Sequence, residues 1–185
     1  MGDRDRKQDR DGRDTEFQAF VVGRWPRLMR TAFLLTGEQH AAEDLVQSTL
    51  EQVYVAWRRV GAADEPEAYV RRVMINAHAR KYRRKLREFL APRDDGSGPA
   101  HEVADTGDLI ARADDRHTLL KALAALPPRQ REAVVLRYWE DLTETQTAEA
   151  MGCSVGTVKS NAAKGIAKLR AIPELADTVT YGGRK

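Results

Sequence analysis

The stretch MGCSVGTVKSNAAKGIAKLR, residues 151–170, decides the fold of the second half of the chain. Just upstream, Thr143 and Gln146 have the spacing of a capping box, which predicts the start of a short helix ending near Gly152. Ser154 can cap the longer helix that follows the turn. A short helix, a turn containing glycine and a longer helix together form a helix-turn-helix.

The longer helix of this motif has an apolar stripe on one side and a polar, cationic face on the other. The stripe recurs at helical spacing and consists of Val155, Val158, Ala162, Ile166 and Leu169. The opposite face presents Thr157, Ser160 and Lys164, flanked by Lys159, Asn161 and Lys168. Lysine neutralises phosphates, while Ser, Thr and Asn reach base edges, and no acidic residue interrupts residues 155–170. This pattern favours DNA binding over an ordinary solvated face.

A second basic helix is predicted from Pro66 onward, since proline suits the first turn of a helix. Residues 71–87 contain eight cationic residues and no acidic one. A polyanion would relieve their mutual repulsion; the alternative is a basic surface that only keeps the protein soluble. Asn76 suits adenine recognition. Tyr69 and Tyr82 could stack on unpaired bases or lie in the core.

The predicted helix before it has the opposite character. Opposite its apolar stripe it carries Asp44, Gln47, Ser48 and Glu51. An acidic face is unfavourable against DNA, so it indicates a protein partner or solvent.

The expected fold is all-α, with two small helical domains joined by a flexible acidic linker, the second domain containing the helix-turn-helix. Residues 1–14 alternate charges without apolar residues after Met1, which predicts a disordered tail. Residues 15–90 contain three amphipathic helices, and Pro26 predicts a kink or break in the first. Residues 91–112 form the linker, residues 113–172 the second domain, and residues 173–185 a mobile tail.

Composition excludes several classes of protein. With one cysteine, Cys153, and four scattered histidines among 185 residues, we expect no disulfide framework, metal or cofactor. No glycine-rich phosphate loop or nucleophile motif is present, so we expect no enzyme. No apolar run approaches the ~20 residues of a membrane span, which indicates a cytoplasmic protein without a membrane partner. Cys153 either fills the tight turn or senses redox conditions.

Three segments in this order resemble a bacterial sigma factor of the sigma-70 family. They are AAEDLVQSTLEQVYVAW (41–57), PEAYVRRVMINAHARKYRR (66–84) and LPPRQREAVVLRYWEDLTETQTAEAMGCSVGTVKSNAAK (126–164). The short linker without a third domain resembles the extracytoplasmic-function (ECF, group IV) type. The resemblance implies a bacterial, cytoplasmic subunit that binds core RNA polymerase and directs transcription initiation at promoter DNA. An anti-sigma factor is a further partner that the resemblance allows.

The resemblance assigns roles to particular residues. It implies core RNA polymerase as a partner, through its β′ clamp helices and its β subunit. The residues implied for core binding are Asp44, Gln47, Ser48 and Glu51, of which Asp44 and Gln47 meet the β′ clamp helices. The residues implied for the minus-ten element are Arg72, Asn76, Arg80, Lys81, Arg83 and Arg84. Those implied for the minus-thirty-five element are Thr157, Lys159, Ser160, Asn161, Ala163 and Lys164. Gly165 stands where Ala is common in the family.

The alternative is a stand-alone helix-turn-helix repressor or activator. A dimeric repressor needs a dimerisation surface that sets the spacing of its half-sites. No extra helix or heptad run supplies such a surface in this sequence.

Overall fold

The computed structural model describes residues 2–90 and 114–173, and within them all regular structure is helical. The elements are α1 (Gly2–Thr36), α2 (Gln39–Val60), α3 (Pro66–Leu90), α4 (Asp114–Ala125), α5 (Pro128–Val134), a π-helical segment (Val135–Trp139), α6 (Glu144–Met151) and α7 (Val155–Arg170). The predicted all-α fold with two helical domains is confirmed: α1–α3 form the N-terminal domain and α4–α7 the C-terminal domain. The predicted linker and residues 174–185 of the predicted tail lie outside the described residues.

Helix α1 begins much earlier than the charge pattern predicts. Residues 2–14 are helical in the structure, where composition predicts a disordered tail. Two polar contacts to Tyr54 of α2 hold the end of this segment: Arg13 Nη2 donates to the phenol oxygen at 2.9 Å, and that hydroxyl donates to Asp14 Oδ1 at 2.7 Å. A prediction from composition considers only how much apolar surface the segment can bury. It therefore does not include the polar contacts that Arg13 and Asp14 make with Tyr54.

The same helix runs through Pro26 without a break, so α1 is one element of 35 residues rather than two. Its C-terminal end is set by Gly37, whose φ of 78° is a left-handed conformation that glycine adopts readily. The Gly37 amide donates to the Phe33 carbonyl at 2.7 Å, which closes the last turn.

Aromatic packing holds α1 against α2. The ring of Phe17 lies 5.1 Å from that of Tyr54 and 5.2 Å from that of Trp57, and Phe20 lies 4.9 Å from Trp57. Val70 and Val73 of α3 complete this apolar cluster. The three helices therefore share a small core of their own within the N-terminal domain.

The helix-turn-helix forms as its capping residues predict. The Thr143 side chain accepts from the Gln146 amide while the Gln146 side chain accepts from the Thr143 amide, giving a complete capping box. Gly152 adopts a φ of 61° at the end of α6. The Ser154 side chain then accepts from the Thr157 amide and starts α7.

Gly165 allows α7 to pack closely on α5. A Cβ at this position would lie 2.7 Å from Val134 Cγ2 and 3.3 Å from the Gln130 carbonyl oxygen. We expect Gly165→Ala to lower the free energy of unfolding by about 1 kcal/mol, since overpacking costs roughly 1–3 kcal/mol and better helix propensity returns about 0.5–1 kcal/mol. Thermal or urea unfolding of the purified protein measures the change.

Gly156→Ala is the matched control on the same helix. A Cβ there would meet only Ser154 Oγ at 3.8 Å, so this substitution should leave the protein as stable as the wild type or slightly more stable. Equal stabilisation by both substitutions would show that α5 and α7 are not in close contact at Gly165.

The two domains pack directly on each other, which the sequence patterns do not predict. One apolar cluster contains buried residues of both, including Leu35, Leu45 and Ile75 from the N-terminal domain and Leu136 and Met151 from the C-terminal domain. Helix α3 contacts α6, and α1 contacts α4, α5 and the π-helical segment. The described helices of the two domains therefore share one apolar cluster.

Candidate nucleic-acid and partner interfaces

The outer face of α7 is open to solvent. Thr157, Ser160, Ala163 and Lys164 are all exposed, while Val158 and Leu169 on the other side of the helix are buried. The packing of α7 on α5 and α6 turns this face away from its own domain. The face thus presents hydroxyl groups, which can bond to base edges, and a cation, which can pair with phosphate.

Three of the residues predicted to contact DNA on α7 are bonded within the motif itself. The Thr157 hydroxyl lies 2.9 Å from Ser154 Oγ. Lys159 Nζ lies 3.3 Å from Glu144 Oε2 at the start of α6. Asn161 is half-buried, and its side-chain amide donates to the Thr157 carbonyl at 2.9 Å. Ser160 and Lys164 are therefore better placed than Lys159 and Asn161 to meet a duplex without rearrangement.

Helix α3 carries an exposed cationic face. Arg72, Asn76, Arg80 and Arg83 follow one another at spacings of four, four and three, so that they share one side of the helix, and all four are exposed. Arg87 continues this row and is also exposed; the same spacing could have identified it from the sequence. Arg80 donates to Gln52 Oε1 of α2 at 2.7 Å, which fixes the orientation of its guanidinium.

Two tyrosines of α3 lie beside this cationic face, Tyr69 near the start of the helix and Tyr82 further along it. The Arg72 guanidinium lies 5.4 Å above the Tyr69 ring, and Tyr69 packs against the core of the domain. Tyr82, in contrast, is 44% exposed. Of the two tyrosines, Tyr82 is therefore the one available to stack on an unpaired base.

Lys81 and Arg84 lie beside the main row of α3 rather than in it. Arg84 is exposed one turn after Arg80. Lys81 is half-buried, and its Nζ lies 3.0 Å from Asp44 Oδ2 of α2. The structure thus joins a residue predicted to contact DNA to a residue predicted to bind the polymerase.

The polar face of α2 is exposed along its length. Asp44, Gln47 and Glu51 are exposed, and Gln47 Nε2 donates to Glu51 Oε1 at 3.1 Å. Ser48 is half-buried, and its hydroxyl donates to the Leu45 carbonyl at 3.1 Å. The hydrogen bond from Lys81, together with its charge, lowers the pKa of Asp44 below its ordinary value. Asp44 is therefore ionised at neutral pH.

Val55 extends the α2 face by one turn beyond Glu51. Its side chain is 84% exposed, the largest exposed fraction among the large hydrophobic side chains in the described residues. An apolar residue outside the buried stripe of its own helix is the signal that could have identified it from the sequence. Together these residues form what we call the α2 face: Asp44, Gln47, Ser48, Glu51 and Val55.

Cys153 lies in the turn between α6 and α7. Its amide donates to the Ala148 carbonyl at 3.0 Å, as the residue after a left-handed glycine does in a Schellman motif. Burial raises the pKa of the Cys153 thiol, which disfavours the reactive thiolate. A small residue filling the turn accounts for these observations better than a redox sensor does.

Within residues 2–90 and 114–173, no cluster of His, Cys, Asp and Glu has the arrangement of a metal site. No described helix combines the length and the apolar character of a membrane span.

In comparison with known protein families, each of the two domains matches a family description of its own. Residues 21–88 match the family description Sigma-70 region 2, and residues 116–169 match Sigma-70, region 4. The RNA polymerase sigma-E factor of Streptomyces avermitilis is 36% identical over 169 residues, covering 90% of this chain and 89% of the relative. The chain belongs to the sigma-70 family. It is a sigma factor, a non-enzymatic subunit whose partners are core RNA polymerase and promoter DNA.

Other relatives agree with this assignment and with the ECF type. The ECF RNA polymerase sigma factor SigE of Mycolicibacterium smegmatis is 32% identical over 146 residues, covering 78% of this chain and 56% of the relative. The sigma factor RpoE in complex with the anti-sigma factor NepR from Bartonella quintana has a TM-score of 0.69 and 26% identity, covering 84% of this chain and 94% of that one. CnrH in complex with the cytosolic domain of CnrY, at 21% identity and a TM-score of 0.54, shows the same fold. The alternative of a stand-alone repressor or activator is not favoured.

Proposed function

We propose that three faces of this sigma factor divide the recognition of polymerase and promoter between them. The α2 face binds core polymerase at its β′ clamp helices, the exposed row of α3 binds the minus-ten element, and the outer face of α7 binds the minus-thirty-five element. The observation that carries the proposal is the separation of charge between neighbouring helices. The exposed row of α3 consists of Arg72, Asn76, Arg80, Arg83 and Arg87 and holds no acidic residue, whereas the α2 face beside it presents carboxylates.

The α3 row supplies two kinds of contact that the minus-ten element requires. The arginines hold phosphates on either side of Asn76, whose amide can donate and accept at the base edge of an adenine. Tyr82, exposed on the same helix, offers a ring on which an unpaired base can stack. In this proposal the arginines hold the phosphates of the separated strands, and Tyr82 stacks on an unpaired base.

The α7 face supplies contacts to duplex DNA at the minus-thirty-five element. Ser160 and Lys164 are one turn apart at the centre of the face and enter the major groove first. Lys159 reaches a phosphate by exchanging its ion pair with Glu144, an exposed pair that costs little to break. In this proposal Asn161 acts by stiffening the first turns of α7 through its bond to the Thr157 carbonyl.

Site-specific photo-crosslinking in the holoenzyme tests these assignments. A photoreactive amino acid replaces Arg83 of α3 or Ser160 of α7, and the holoenzyme is bound to a promoter fragment that it selected from a genomic library. We expect the probe at Arg83 to label the minus-ten region and the probe at Ser160 to label the region about 25 base pairs upstream. The same probe at Gln18, exposed on α1, is the control and should label neither. Labelling of a single common region by both α3 and α7 would contradict the proposal.

The proposal extends to the β subunit of the polymerase, to an anti-sigma factor and to the cellular compartment. We propose that the C-terminal domain contacts the β subunit and that the protein works in the bacterial cytoplasm, where the polymerase and its DNA are found. We also propose control by an anti-sigma factor. The similarity to a sigma factor solved with NepR spans 84% of this chain, so the surfaces of both domains are comparable with that protein.

A further inference from the structure

We propose that Gln52 of α2 is a positioning residue for promoter recognition, which holds the guanidinium of Arg80 in the orientation that meets the minus-ten element. Gln52 does not touch the DNA itself and acts through Arg80. The inference rests on the proposed role of the α3 row in binding the minus-ten element. It goes beyond that role because it gives a residue of the neighbouring helix a function in DNA binding.

A hydrogen bond between two helices connects Gln52 with the α3 row. Arg80 Nη2 donates to Gln52 Oε1 at 2.7 Å, across 28 positions of the chain. Both residues are exposed, so the bond lies at the surface where α3 borders α2. Arg80 lies one turn after Asn76 and one turn before Arg83. The orientation of its guanidinium therefore affects the middle of the row, next to the residue proposed to contact a base.

A second hydrogen bond fixes the Gln52 side chain. Its Nε2 donates to the Ser48 carbonyl at 2.8 Å, one turn earlier on α2. The two bonds agree with each other, because the flipped amide would place its NH2 group against a guanidinium, which has only donors. Gln52 is therefore anchored to the backbone of its own helix while its oxygen accepts from Arg80.

The acceptor on Gln52 is uncharged, so Arg80 keeps its positive charge for a phosphate. The bond uses one of the five N–H donors of the guanidinium, and a phosphate can accept from the others. Lys81, the next residue of α3, is held differently: its Nζ lies 3.0 Å from the Asp44 carboxylate, whose charge opposes its own. Helix α2 thus orients Arg80 without neutralising it.

An arginine that is oriented before the DNA arrives costs less entropy to bind. The side chain loses rotamer freedom when it is fixed on a phosphate, and a side chain that is already held loses less. The phosphate contact itself is the same with or without Gln52, so the number of counterions released does not change. Positioning therefore raises the affinity for DNA without changing how that affinity depends on salt.

Gln52 lies outside the α2 face although it directly follows Glu51. Successive residues of an α-helix are about 100° apart around the axis, and the bond to Arg80 shows that Gln52 is on the side toward α3. Replacement of Gln52 should therefore alter DNA binding while leaving the binding of core polymerase unchanged.

The affinity of the holoenzyme for a promoter fragment, measured over a series of salt concentrations, tests the proposal. The fragment is one that the wild-type holoenzyme selected from a genomic library, and each variant is assembled with saturating core polymerase. We expect Gln52→Ala to lower the affinity about threefold to tenfold while the slope of log affinity against log salt stays unchanged. Arg80→Ala should lower the affinity further and reduce the slope by about one, because it removes a phosphate contact.

The double variant separates positioning from an ordinary structural role. If Gln52 acts through Arg80, Gln52→Ala has no further effect once Arg80→Ala is present. A loss of similar size in both backgrounds would overturn the proposal, since Gln52 would then act independently of Arg80. A reduced slope in Gln52→Ala alone would also overturn it, because Gln52 would then change the number of phosphate contacts.

Gln52→Glu tests the importance of the acceptor and of its missing charge. The variant keeps an oxygen that accepts from Arg80 but places a carboxylate beside the phosphate. We expect an affinity near that of the wild type at high salt and a lower affinity at low salt, where the added repulsion is less screened. A loss equal to that of Gln52→Ala at every salt concentration would show that the hydrogen bond does not matter.

Gln39→Ala is the matched control on the same helix. The Gln39 side chain donates to Glu43 of α2 at 2.7 Å, so its removal leaves Arg80 in place and should not change promoter affinity. Titration with core polymerase checks the other face of α2, and weaker core binding by Gln52→Ala would assign Gln52 to the polymerase interface instead.

Arg80→Ala distinguishes failure of this inference from failure of the proposed function. If Arg80→Ala changed neither the affinity nor the slope, the α3 row would not bind the minus-ten element as proposed, and the role of Gln52 would fall with it. If Arg80→Ala lost affinity while Gln52→Ala bound like the wild type, only the positioning role would be contradicted.

Discussion

Replacement of Lys164 by Glu is expected to reduce promoter-specific transcription about 100-fold or more while leaving the binding of core polymerase unchanged. Lys164 lies at the centre of the exposed face of α7, and within the described residues its ammonium makes no ion pair. A carboxylate there removes one favourable contact and brings a negative charge against the phosphates. Each lost contact costs roughly 1–3 kcal/mol, and the repulsion adds to this. Multiple-round transcription from a selected promoter at fixed salt measures the loss, and co-elution with core polymerase measures the binding.

Lys121→Glu is the matched control for this variant. It makes the same change of charge at an exposed position of the same domain, on α4 rather than on α7. We expect it to transcribe nearly as well as the wild type. A loss as large in Lys121→Glu as in Lys164→Glu would mean that the overall charge of the domain, rather than the α7 face, governs promoter binding.

Local chemistry explains why the helices of this sigma factor could be predicted from its sequence. Thr143, Ser154 and Gly152 act on amides and carbonyls within a few residues of themselves, so the beginning and end of α6 and α7 follow from short sequence patterns. The apolar stripe of α7 follows from periodicity alone, and the exposed face opposite it is the one that the structure shows. Prediction succeeds where the deciding interactions are close in sequence.

The association of the domains could not be predicted for the complementary reason. Glu132 and Glu140 look like ordinary surface residues in the sequence, yet both are buried in the structure. Their burial depends on His78 and Arg27, which lie 54 and 113 residues away in the chain. A charged residue can be buried only when such a partner is present, and no local pattern reveals that partner.

The sequence identified some features of the candidate sites and missed others that depend on the packing of one helix on another. The resemblance assigned Arg72, Asn76 and Arg80 to promoter DNA, and the structure places these three residues on one exposed side of α3. Spacing did not show that Lys81 turns toward Asp44, because the pair depends on the packing of α3 against α2. The assignment of these residues to particular promoter elements stays a prediction that crosslinking must test.

Replacement of Asp44 by Arg is expected to weaken the binding of core polymerase by about tenfold to a hundredfold without unfolding the protein. Asp44 is exposed at the start of the α2 face, and it forms an ion pair with Lys81 of α3 at 3.0 Å. An arginine there repels Lys81 and reverses the charge at the start of the face that the proposal places against the polymerase. Loss of a charge pair at an interface has effects of this size. Titration of labelled sigma factor with core polymerase in the absence of DNA measures the affinity, and thermal unfolding checks the fold.

Glu16→Arg distinguishes a specific face from a general charge effect. Glu16 is an exposed carboxylate of the same domain but belongs to α1, so its reversal changes the net charge equally without altering the α2 face. We expect Glu16→Arg to bind core with wild-type affinity. If Asp44→Arg also bound with wild-type affinity, the α2 face would not be the polymerase contact. If both variants lost affinity equally, the attraction would come from the charge of the whole domain. A loss of core affinity in Asp44→Arg alone supports a contact made by the α2 face, because only that variant changes the charge at the proposed interface.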